Sequence, residues 1–216
     1  MLTLHRAALV LPDPADPTAP SYADGAVVVR GELVEAVGPY GELAAAHPSA
    51  RVRDWGTAVL TPGLRNPWGQ RLLERDYHPD PREEIGVEPV ADGLVGCTDE
   101  TRYGASARRG LQRMLGFGVT AVAGPFERAS VRTAVARSGV AAPPGAEGGA
   151  AAVLDPLEVL PLASAVHGRV AAGGRADFAV FPVADGDGSG AGGGVRPAAG
   201  GCLATVLGGR LVYRRR

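Results

Sequence analysis

Four histidines, two cysteines and one loop rich in carboxylates are the residues of this 216-residue chain that could do chemistry. His5, His47, His78 and His167 never stand two or four apart, the spacings that bring two imidazoles onto one metal ion. His78 has the richest neighbourhood, Glu74-Arg75-Asp76-Tyr77-His78-Pro79-Asp80, with Glu83 and Glu84 just beyond. Such a loop could gather carboxylates and an imidazole around a cation, or be a polar surface loop shaped by its prolines. The surface loop is the expectation. Cys97 and Cys202 have neither disulfide-framework nor metal spacing and no evident histidine partner. Cys202, inside a β-rich run, reads as a small buried apolar residue. Ser106, Ser130, Ser138 and Ser164 lack the Gly-x-Ser-x-Gly elbow that exposes a nucleophile. Asp155 stands directly before Pro156-Leu157 and reads as a helix cap. Gly188-Ser189-Gly190-Ala191-Gly192-Gly193 has dinucleotide-fingerprint spacing, but Pro197 follows where a helix is required, so no nucleotide site is expected. The residues alone therefore assign no catalytic group, no cofactor-binding residue and no metal ligand.

Composition narrows the class further. With 45% hydrophobic and 21% charged residues, the chain can bury one or two modest cores. A net charge of −1 gives no electrostatic footprint for nucleic acid or an anionic membrane, and Arg214-Arg215-Arg216 reads as a solvated run. Every basic residue is arginine, which removes a P-loop lysine and a Schiff-base lysine from consideration. The first ten residues carry His5 and Arg6 and do not read as a signal peptide, and no apolar run approaches the roughly 20 residues of a membrane helix. A cytoplasmic, reducing setting is expected.

The elements that must position these groups are β-rich at both ends. Leu2 to Val10 reads as a strand; Ala23-Asp24-Gly25 reads as a turn, followed by apolar runs over 26–29 and 32–37. Tyr40 to His47 reads as a short helix ended by Pro48, with short strands at 52–55 and 58–61. Near the other end, 176–183, 202–207 and 210–213 are β-rich, and Gly208-Gly209 suits a tight hairpin. In the middle, Ser106 is the expected cap of a helix whose Leu111, Met114 and Leu115 fall at helical spacing, followed by a strand over 119–123. A second helix is expected over 129–138 with Gly139 as its stop, and a third from Asp155 toward Val166, shortened or kinked by Pro161. Residues 141–150 and 184–201, rich in Gly, Ala and Pro, read as loops.

Two stretches together resemble a known family. Gly25 through Gly38, then Val59-Leu60-Thr61-Pro62-Gly63-Leu64, look like the entry into the amidohydrolase superfamily. His167-Gly168-Arg169-Val170, then Gly173-Gly174-Arg175-Ala176-Asp177 and the apolar run after it, look like its exit. Within the superfamily the chain is most similar to the imidazolonepropionase and aminodeoxyfutalosine deaminase group. The resemblance implies a mixed α/β fold in which the N- and C-terminal segments form a composite β-sandwich around a metal-binding barrel. Residues 1–64 plus 166–216 would be the sandwich and 65–165 the insert. Gly110 to Val122 resembles the family's first barrel helix leading into its second strand, and Asp155 to Leu160 its last helix. Yet Gly63 to Ala165 is only 103 residues, against about 250 for a complete barrel. The insert is therefore expected to be a shrunken α/β remnant.

The resemblance also places the family's His-x-His metal pair at Trp68 and Gln70, and neither residue is a credible zinc ligand. Trp68 and Phe117 are candidates to line a small pocket, with core filling the stronger expectation. Asp177 falls at a structural position before a strand. Two functions follow as expectations: a protein that has lost the metal site and binds a small molecule or a protein partner, and, as the alternative, a zinc- or iron-dependent hydrolase of non-peptide C–N bonds using His78 and its acidic neighbours. A homodimer through an exposed sheet edge is also expected.

Overall fold

The computed structural model describes residues 2–145, 152–183 and 197–216. The Gly188–Gly193 run and most of the two Gly/Ala/Pro-rich stretches lie outside these residues. The fold is mixed α/β. Its main sheet has eight strands, mostly antiparallel, drawn from both ends of the chain: β1 (Leu2–Val10), β2 (Tyr22–Arg30), β3 (Leu33–Pro39), β4 (Arg51–Asp54), β5 (Val59–Pro62), β8 (Phe178–Phe181), β9 (Ala204–Leu207) and β10 (Arg210–Arg214). The order is β10-β9-β8-β5-β1-β2-β3. On its other side β1 is shared lengthwise: its first half pairs with β4 and its last two residues with β5. The seam between chain ends is the antiparallel pair β5–β8, with Val59 opposite Phe181 and Pro62 opposite Phe178.

Period-two alternation explains how this sheet can bury both faces. In β8, Phe178 and Val180 join Val27, Val29, Leu60 and Val206 in one core, while Ala179 and Phe181 face the helical layer. In β2, Ala26 and Val28 turn the other way, with Leu4, toward helix α1 (Tyr40–Ala46). Each buried Val, Leu or Phe contributes about 1.5–3 kcal/mol, whereas exposed ion pairs such as Arg75–Asp92 contribute at most about 1 kcal/mol, so the cores hold the fold. The hairpin β9–β10 turns at Gly208-Gly209, where φ is +54° and +71° at successive positions, a geometry side chains disfavour.

Between the chain ends lies a small parallel layer. Strand β6 (Leu64–Asn66) pairs in parallel with β7 (Val119–Val122), and Ala141 and Pro144 extend the pairing beside β7. Helices α2 (Gly69–Glu74) and α3 (Glu100–Leu115) connect β6 to β7, and α4 (Ala129–Ser138) follows β7. Their apolar stripes, including Leu72, Leu111, Met114, Val131 and Val135, pack on Leu64, Val119 and Val122.

Several expectations are corrected. Ala23-Asp24-Gly25 is not a turn but part of β2, paired across to Leu9 and Ala7; Asp24 is accommodated at φ +46°, and the true turn is Gly31-Glu32. Ser106 caps nothing. It lies inside α3, which starts earlier because the Asp99 carboxylate accepts the Thr101 N–H at 2.8 Å. The third helix is interrupted at Pro161 as expected, into a 3-10 turn at Pro156–Glu158 and α5 (Leu162–Ala165), because Pro161 cannot donate and serves as the N-cap of the second. No helix among the described residues is long and apolar enough to cross a membrane.

Candidate functional site

In a parallel layer, ligands are expected beyond the carboxyl ends of the strands, here after Asn66 and Val122. Asn66 is fully buried and ties that end together. Its Oδ1 accepts the Trp68 N–H at 2.9 Å, and its Nδ2 donates to the carbonyls of Val153 and Leu154 at 2.8 and 3.3 Å. The backbone turns at Trp68 (φ −97°, ψ 19°) and goes directly into α2. Trp68 is 4% exposed and packed among Leu64, Leu72 and the α3 side chains; its indole N–H is buried without a partner. Gln70 lies in the first turn of α2, where its side chain bonds Glu74.

Glu74 is held above the usual carboxylate range by burial, which outweighs the hydrogen bonds it accepts. One of those comes from the Arg128 N–H at 2.7 Å, and Glu100 accepts the Ser130 N–H at 3.1 Å. Two glutamates from α2 and α3 thus satisfy the start of α4.

The expectation of a polar surface loop at His78 is overturned. The ring is 1% exposed, sealed beneath α3, where a Cβ at Gly110 would lie 2.6 Å from Nε2. Nε2 is 2.8 Å from the Leu72 carbonyl and therefore carries the proton, while Nδ1 is buried without a partner. The His78 N–H donates to Ser106 Oγ at 2.9 Å and its carbonyl accepts from Arg109 Nε at 2.8 Å. Burial, more than the nearby arginines, pushes the imidazole below its ordinary value. Nor do its acidic neighbours converge on it: Asp76 accepts the Asp92 N–H at 2.9 Å, and Glu83 accepts the Tyr77 hydroxyl at 2.6 Å.

The remaining candidates are structural. Asp155 is the expected cap: one oxygen accepts the Leu157 N–H at 3.0 Å and the other the Gly200 N–H at 2.8 Å. Asp177 precedes β8 and accepts the Gly208 N–H at 2.6 Å, fixing the β9–β10 turn. Cys202 is buried, its thiol pushed up to about 11 mainly by burial. His5 lies in β1, His47 at the end of α1, and His167 donates its N–H to the Gly63 carbonyl at 2.7 Å. Among the described residues no three His, Cys, Asp or Glu side chains gather as a metal group. At Trp68 and Gln70 the side chains do not fit a zinc or iron ion, because an indole N–H only donates and the Gln70 amide lies on a helix.

What the strand ends do frame is a cavity of about 620 Å³ beside β7 and α4, lined by Pro125, Phe126, Val135, Val140 and Pro144, with Arg132 at its rim. Arg132 is oriented by the Phe126 carbonyl at 3.0 Å. Sequence reading missed this cavity. Its signal is Gly124-Pro125-Phe126 immediately after a strand, and Pro143-Pro144 where the adjacent extended segment ends.

The family model for an imidazolonepropionase-like composite domain of bacteria matches residues 25–50, which includes Gly25 through Gly38 of the N-terminal resemblance and ends before Val59–Leu64. No curated protein matches. Among solved structures, the chain is similar to A. niger ochratoxinase at 22% identity and a TM-score of 0.46, covering 69% of this chain and 32% of that one. Guanine deaminase from Bradyrhizobium japonicum gives 17% identity and 0.45, with 65% and 34% covered. An adenosine deaminase from Xanthomonas campestris, solved with bound zinc, gives 22% and 0.41, with 65% and 32% covered. The chain spans about a third of the length of each.

Proposed function

We propose that this chain is an amidohydrolase-like protein without the family's metal site, acting as a binding module. In this reading the composite β-sandwich is residues 1–64 plus 166–216, and the barrel is reduced to the 65–165 insert. One observation carries the proposal. The aligned metal-ligand pair is a core tryptophan and a helix glutamine, and the strand end that would present them is closed by Asn66 and α2. The 620 Å³ cavity beside β7 is the ligand site, and its apolar walls with a single guanidinium at the rim suit a largely apolar small molecule. The hydrolase alternative gains nothing from His78, whose protonated nitrogen is committed to a carbonyl.

The reading extends to a homodimer along β10, one edge strand of the main sheet. The test is metal content by mass spectrometry on untagged protein from cells grown with added zinc and iron. Protein that is folded and substoichiometric in metal is expected; near-stoichiometric metal overturns the reading. Light scattering checks the dimer, and a monomer at high concentration removes that part.

A further inference from the structure

A second cavity, of about 550 Å³, opens at the carboxyl-terminal end of α3, beside the end of β10. Arg113 and Arg215, and the half-buried Phe117 and Tyr213, line it together with the backbone of Gly200-Gly201. Arg215 is anchored by one hydrogen bond, Nη2 to the Gly200 carbonyl at 3.2 Å, and it has no carboxylate partner among the described residues. A guanidinium carries five N–H donors, so four stay available. Gly201 has φ +102°, and a Cβ there would lie 3.0 Å from Arg215 Nη2. Glycine at this position keeps room beside the cation.

The charge balance selects the ligand. Arg113 is already paired with Glu88 at 3.2 Å, and the buried Asp155 carboxylate accepts the Gly200 N–H at 2.8 Å behind the cavity wall, so among the described residues Arg215 is the lining cation without a direct carboxylate partner and the net positive field is at most about one charge. The carboxyl-terminal end of α3 adds partial negative charge, which disfavours a dianion. The Leu115 and Gly116 carbonyls that carry that charge are partly satisfied, by Thr205 Oγ1 at 2.6 Å and the Cys202 N–H at 3.1 Å. A monoanionic carboxylate fits this balance better than phosphate, and Phe117 and Tyr213 in the lining supply aromatic surface for a planar group.

We infer that this cavity is a binding site for a small aromatic carboxylate, held by Arg215 and stacked against Phe117. The site shares no residue with the cavity beside β7, so it stands or falls independently of the proposed function. The probe is benzoate, titrated into the full chain and followed by ¹⁵N chemical shifts, with inorganic phosphate as comparison. Saturable shifts confined to residues 112–117 and 200–215 are expected. Arg215→Gln, a change at an exposed residue, should weaken benzoate about tenfold, the worth of one charge-assisted hydrogen bond. Phe117→Leu should also weaken it, and phosphate should bind more weakly than benzoate. No saturation, shifts centred elsewhere, unchanged affinity in Arg215→Gln, or phosphate binding as tightly as benzoate each overturns the inference.

Discussion

His5 makes the stability of this protein fall in mild acid by an amount that can be worked out in advance. The ring is 2% exposed within β1, edge-on to Phe178 at 4.9 Å and stacked on Trp55 at 6.0 Å, with Nδ1 facing the Trp55 indole N–H at 3.4 Å. Burial first, and the Arg53 guanidinium second, push its pKa from 6.5 to about 3. Between these values the unfolded chain binds a proton that the folded chain refuses, so stability rises with pH across the window and is lost as pH falls below 6.5. At 1.36 kcal/mol per unit, the loss between pH 7.5 and pH 5 is about 2 kcal/mol from this residue. The perturbation is His5→Gln, which keeps an acceptor for Trp55 but does not titrate. Urea unfolding of both proteins at pH 7.5, 6.5, 5.5 and 5.0 gives the difference in ΔG, in which the common titration of His78, His167, Glu74 and Asp177 cancels. That difference should move by about 2 kcal/mol in favour of the variant on going to pH 5. A difference flat to within about 0.5 kcal/mol would refute the reasoning, because it would mean the ring takes a proton as easily folded as unfolded.

Trp68→Ala should cost about 3–5 kcal/mol in chemical denaturation, since it empties a core position, whereas Gln70→Ala on the half-buried side of α2 should cost under about 1 kcal/mol. Gly110→Ala should destabilise by about 1–3 kcal/mol through the collision with His78, while Gly41→Ala, with nothing within 4 Å and a helical position, should stabilise by about 0.5–1 kcal/mol; thermal melts of the pair separate packing from propensity. Ellman's reagent at pH 8 should label half-exposed Cys97 promptly and Cys202 only after denaturation, because burial keeps that thiol protonated; two fast thiols would contradict it. Trp68→His with Gln70→His should leave zinc substoichiometric by mass spectrometry, and one tightly held equivalent would contradict the geometry of α2.

The parts of this fold that were legible in the sequence are those fixed by short-range rules. Alternating apolar residues place the strands at both ends, the paired glycines after Leu207 set the last hairpin, and Gly139 stops α4 in a left-handed conformation. What escaped depends on partners far away in the chain. Asp24 looks like a turn residue, yet Arg6 and the β1 register hold it inside β2 through a 2.7 Å ion pair. The start of α3 is set by Asp99 and by Glu100 reaching Arg128 and Ser130, so the apolar spacing from Leu111 onward marked only its second half. His78 carries every local sign of a surface loop, with prolines and carboxylates on both sides. Its burial comes from the absence of a side chain at Gly110 and a hydroxyl at Ser106, about thirty positions away.

The same distinction explains why the Trp68–Gln70 segment says more than the identity of its two residues. On an extended strand, positions two apart share a face, and this is how a His-x-His pair presents two imidazoles to one ion. In this chain the backbone leaves the extended region at Trp68, and Gln70 is already helical, which places their side chains about 200° apart around the α2 axis. Residue type and backbone support each other here. An indole in the core is stabilised by Leu72 and the α3 side chains that α2 brings over it, and α2 can begin there because Asn66 accepts the Trp68 N–H. Placing two histidines here would replace the side chains and leave the helix, so the pair would still point apart.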